Sequence, residues 1–118
     1  KAELLPDLGK KPEAMRITAS ISLLLRRLLA GEESNPELFS EFVSGLKFLE
    51  QAEDSGDYTG IEAIIVLRLL SHLGYIGGGK VSEKLVASPL DRELVFEAKK
   101  QRTEILSEIN RALRESQL

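Results

Sequence analysis

At 118 residues, 42% apolar and 30% charged, the chain is one globular domain with a single core. No uninterrupted apolar run approaches the roughly 18 residues a membrane helix needs; with no Cys and one His, disulfides and thiolate metal sites are excluded, and neither a metal nor another cofactor is expected. The net charge of −3 is uneven: residues 1–31 carry six Lys/Arg against three acids, residues 32–88 four against ten, and residues 89–118 six against six.

Residues 1–11, with Pro6 and Gly9, read as an irregular lead-in or linker, and residues 12–118 as the helical domain proper. The chain starts at Lys1 without a charged-then-apolar leader, so an intracellular piece of a longer protein is expected. The first helix opens at Pro12, carries Glu13 near its positive end and closes at Gly31. Ala14, Ile17, Ile21, Leu24, Leu25, Leu28 and Leu29 form its stripe at helical spacing.

Ser34-Asn35-Pro36 announces the second helix: Asn35 can accept from an orphan N–H, and Pro36 at the first position has none to lose. Leu38, Phe39, Phe42, Val43, Leu46 and Leu49 line one face of it, and Ser40, Glu41, Ser44, Lys47 and Gln51 the other. Glu53 to Asp57 is polar, contains Gly56 and predicts a loop. The third helix, 58–73, is apolar nearly all round, broken only by Glu62, Arg68, Ser71 and His72, and Gly74 supplies its stop. A helix of that kind must be enclosed by others.

Gly77 to Gly79 form a break, and Val81 to Val86 a short turn of helix. Ser88-Pro89-Leu90-Asp91 then offers a cap, a first-position Pro and an acid at the third position. From there one unbroken helix, 89–115, is expected, with Leu94, Ala98, Ile105, Ile109, Ala112 and Leu113 as its stripe. The predicted fold is all-α, a compact domain of about four main helices around the apolar central one. Aromatic residues are few and Trp is absent, so aliphatic side chains fill the core.

Catalytic chemistry is not apparent. His72 is the sole imidazole, and Ser71 beside it points about 100° away on a helix, so no dyad follows. Glu32/Glu33 and Asp54/Asp57 are carboxylate pairs in or beside loops, read as solvated. Gly77 to Gly79 lack the Lys-Ser/Thr of a phosphate loop and read as a connector. The chain reads as a non-enzyme with no small-molecule substrate.

Two surfaces remain. On the first helix Arg16, Leu23, Arg26 and Arg27 lie opposite the core stripe, setting an apolar side chain among three guanidiniums. Such a face suits a peptide that combines an apolar anchor with carboxylates, the plainer reading being a solvated face or one packed on another domain. On the last helix Lys99, Lys100, Arg102, Arg111 and Arg114 could neutralise DNA phosphates, with Lys100, Arg111 and Arg114 on a shared face. Glu93, Glu97, Glu104 and Glu108 lie close to that face, so Glu97–Lys100, Lys100–Glu104 and Glu108–Arg111 pairs make a salt-laced, solvated helix the competing reading.

Three phrases occur in a telling order: Gly-Glu-Glu-Ser-Asn-Pro-Glu-Leu-Phe at 31–39, Leu67-Arg-Leu-Leu-Ser-His-Leu-Gly-Tyr75, and the ending from Lys99 to Leu118. Together they resemble the recombination mediator RecO, the last being similar to the terminal helix of small, divergent members. The resemblance implies the helical C-terminal domain of a two-part protein whose N-terminal OB-fold, missing here, makes most of the DNA contacts. It implies a role in recombinational repair: binding RecR, recognising the acidic, Phe-ending tail of single-strand-binding protein, and helping to load recombinase or anneal strands, in the cytoplasm on the nucleoid. Many relatives carry a four-cysteine zinc module after the Gly-Tyr phrase; this chain has Gly77 to Gly79 and a short link there, so zinc is not expected. The alternative from another class is a stand-alone helical scaffold or dimerisation module in which Leu23 is only a packing residue.

Overall fold

The apolar run of the third predicted helix sets the architecture. A computed structural model describes residues 12–29, 36–52, 55–75 and 80–115. Among them are six helices and no strand: α1 Pro12–Leu29, α2 Pro36–Gln51, α3 Tyr58–His72, α4 Lys80–Ala87, α5 Arg92–Lys100 and α6 Arg102–Glu115, with a single 3-10 turn, Ser55–Asp57, leading into α3. The predicted lead-in, the Gly31 stop, the Asn35 cap, the Glu32/Glu33 pair, Asp54 and Gly77 to Gly79 lie outside the described residues.

All other helices pack against α3. Ile61, Ile64, Leu67, Leu69 and Leu70 are fully buried, as an all-round apolar helix requires. The stop at Gly74 is a Schellman turn. Gly74 takes φ +86°, its N–H donates to the Ser71 carbonyl at 3.0 Å, and the Tyr75 N–H donates to the Leu70 carbonyl at 2.9 Å. A left-handed φ of this kind carries no penalty only in a residue without a Cβ.

Arg68 interrupts the apolar run and becomes a strap. Its side chain is only 13% exposed. Nε donates to the Leu85 carbonyl at 3.0 Å, Nη2 to the Ser88 carbonyl, and Nη1 to the Glu41 carboxylate at 3.2 Å. One guanidinium thus ties α3 to the end of α4 and to α2, and Glu41, predicted for a polar outer face, is half-buried as its counter-charge.

The α2–α3 crossing depends on Gly45. A Cβ there would sit 2.6 Å from Cγ1 of the buried Ile65, whose branched side chain has little freedom at χ1. We expect Gly45→Ala to destabilise by about 1–2 kcal/mol in denaturant unfolding, overpacking outweighing the gain of roughly 1 kcal/mol in helix propensity. A midpoint at or above wild type would show that Ile65 can step aside.

Several expectations need correction. Phe39, assigned to the buried face of α2, is 53% exposed: it lies just beyond the Leu46 edge of the stripe, roughly a fifth of a turn from the centre of Leu38, Phe42, Leu46 and Leu49. The helix predicted from Pro89 begins at Arg92: Asp91 is extended and is itself the N-cap, its Oδ1 accepting from the Leu94 N–H at 2.9 Å. That helix is not continuous to Glu115 but stops at Lys100 and restarts at Arg102. Between Ala98 and Ile105 the inward positions are Gln101 and Arg102, so an unbroken helix would turn polar side chains into the core. The break lets Leu94, Val95 and Ala98 on α5, and Ile105, Ile109 and Ala112 on α6, bury separately. It also removes the continuous register on which the shared face of Lys100, Arg111 and Arg114 depended.

Candidate partner-binding groove

The sheath around α3 has a seam. Between α1 and α6 runs an apolar groove of about 240 Å³ whose floor is Gly60, Ala63 and Val66 of α3. Ala63 and Val66, 8% and 9% exposed, are the least covered of the apolar core residues on α3, which is why the groove opens over them. Leu24 lines it from α1, and Leu106, Ile109 and Leu113 from α6.

The two candidate surfaces meet here in part. Lys99 and Arg102, at the α5–α6 junction, line the groove opposite α1. On α1, Arg16, Leu23, Arg26 and Arg27 are all exposed, Leu23 to 57%. At about 100° per residue, Arg16 and Arg27 fall between Leu23 and the groove-lining Leu24, while Arg26 lies on the far flank of Leu23. The remaining cations stand apart. Lys100 holds its ammonium 5.5 Å from the ring centre of Phe96 and 4.0 Å from Glu97, the one predicted pair of that helix seen here, and Arg111 and Arg114 are exposed away from the groove.

Not every cation in or beside the groove is free. Lys99 donates to Asp57 at 3.0 Å, and Arg16 is bonded to Glu13, whose hydrogen bond and charge raise the guanidinium pKa. Arg102 makes no ion pair among the described residues. Glu62, which sequence reasoning noted only as an interruption, is half-buried in the groove. Burial raises its carboxyl above the ordinary 4.5, Arg16 pulls it back and Glu13 pushes it up again. An acid inside an otherwise apolar helix was the available signal.

Other candidates offer less. A depression of about 600 Å³ beside Phe96 mixes Lys84 and Arg92 with Asp91, Glu93 and Glu97, so no charge sign prevails there. His72 lies 4.0 Å from Glu41 on the opposite side of α3, within the strap of Arg68. No group of three or more His, Asp or Glu among the described residues is placed to hold a metal.

The family described as Recombination protein O C terminal matches residues 10–76, more than half of the chain. The chain belongs to this family. Membership places it in recombinational DNA repair, in a domain family that is non-catalytic. The matched segment holds α1 to α3 and both the 31–39 and 67–75 phrases, whereas α4 to α6, with Lys99 and Arg102, follow it. No curated protein and no solved structure matches the chain. No helix among the described residues is long and apolar enough to cross a membrane.

Proposed function

We propose that the domain works in recombinational repair as a docking module of a RecO-like mediator, with the Arg-flanked face of α1 and the groove beside it as its peptide site. The observation that supports this reading is the juxtaposition of an apolar channel lined by Lys99 and Arg102 with the exposed Leu23 and arginines of the neighbouring α1 face. An acidic tail ending in Phe suits that chemistry: guanidiniums take carboxylates in a bidentate fork while apolar surface receives the ring. The partners we assign are single-strand-binding protein through such a tail and RecR through surfaces of the same domain. DNA is held mainly by an N-terminal OB-fold domain, with the exposed Arg111 and Arg114 of α6 adding modest phosphate contacts on the nucleoid in the cytoplasm.

Titration with a synthetic acidic peptide ending in Phe tests the site. The double variant Leu23→Ser, Arg26→Glu should weaken binding about tenfold or more, since it removes the anchor surface and reverses a charge of the Arg-flanked α1 face. Unchanged affinity in that variant, with the fold intact by circular dichroism, removes this face from the reading.

A further inference from the structure

Glu62 is the groove residue whose charge opposes an acidic ligand. It stands on α3 immediately before the floor residue Ala63, half-buried, with no hydrogen bond or ion pair among the described residues. Of the charged groups around it, Arg16 and Glu13 of α1 act on its carboxyl, while Lys99 of α5 and Arg102 of α6 line the same groove. Two of the three cations are already engaged, Arg16 by Glu13 and Lys99 by Asp57. Glu62 is therefore incompletely neutralised where a ligand would enter.

We propose that Glu62 is the discriminating residue of this groove, its carboxylate disfavouring acidic side chains on the α1–α3 side and its protonation lifting that penalty. The assignment rests on the reading of the groove as a site for an acidic, apolar-anchored peptide. The sign follows from linkage. Burial already holds the carboxyl above its ordinary value, and an arriving carboxylate pushes it the same way, so binding takes up a proton. Affinity then rises as pH falls from neutral towards the ordinary Glu value of 4.5. His72, the sole imidazole, lies at Glu41 and does not line the groove.

The experiment is a titration of the acidic, Phe-ending peptide into wild type, Glu62→Gln, Glu13→Gln and His72→Gln at neutral and mildly acidic pH. At neutral pH Glu62→Gln should bind about three- to tenfold tighter, the size of one partly exposed like-charge contact. It should also lose most of the pH dependence that wild type and His72→Gln retain. Glu13→Gln frees Arg16 to neutralise Glu62 and should tighten binding in the same direction. Equal affinities and equal pH slopes in wild type and Glu62→Gln overturn the role of Glu62 and leave the peptide site standing. A peptide that binds none of the four proteins overturns both. A carboxyl NMR titration of the free protein supplies a check without ligand: a Glu62 midpoint at or below the ordinary Glu range sinks the assignment.

Discussion

Leu67→Ala is expected to cost about 2–5 kcal/mol, a large share of the roughly 5–15 kcal/mol that holds a domain of this size folded. Leu67 has no exposed surface and sits midway along α3, the helix against which all the others pack. Truncation removes the transfer free energy of the lost carbons and leaves a hole that five neighbouring helices cannot all close. Urea unfolding should show a lower midpoint at nearly unchanged slope. A loss below about 1 kcal/mol would mean that α3 is not enclosed as described and that the groove is not a seam in its sheath.

Arg68→Ala is expected to cost about 2–4 kcal/mol through a different mechanism. Removing the guanidinium deprives the Leu85 and Ser88 carbonyls of a donor and leaves Glu41 half-buried without that counter-charge. Arg68→Lys should restore only a part, because one ammonium cannot reproduce a planar fork aimed at three acceptors. Amide hydrogen exchange separates the strap from general destabilisation: the amides of α4 should lose protection more than those of α2 and α3. Uniform loss across all helices would instead make Arg68 an ordinary core contributor. A double-mutant cycle with Glu41→Gln should give a coupling of about 0.5–3 kcal/mol, as for residues in direct contact.

These two residues also mark how far the fold was legible. Leu67 could be placed in the core from periodicity alone, since every direction around α3 is apolar and burial is the only stable outcome. Arg68 could not. Its position in the sequence says that a charge interrupts the run, but its three acceptors come from residues 17, 20 and 27 positions away. The break at Gln101 was legible in principle, as a gap in the apolar stripe between Ala98 and Ile105. It was missed because Gln, Arg and Lys are good helix formers, and propensity argued for continuity where packing required a bend.

The candidate site divides in the same way. The exposed Arg16, Leu23, Arg26 and Arg27 follow from one helix and its stripe, so their common face is a property of the sequence. That Lys99 and Arg102 stand across a channel from them is not, because α1 and the α5–α6 junction are separated by most of the chain. Phe39 is the converse case: its apolar character suggested burial, and the position of its neighbours left it in solvent.

Local chemistry by itself determined the helical class, the enclosed central helix, its glycine stop and the polar outer face of α1. These depend on propensity, period and capping, which act over one or two turns and need no partner. Only tertiary structure decided where the sheath of α3 remains open, which cations flank the opening, and that Glu62 lies in it while Arg68 is tied down. Such pairings depend on how helices far apart in the chain pack, and packing is settled by the shape of the whole core.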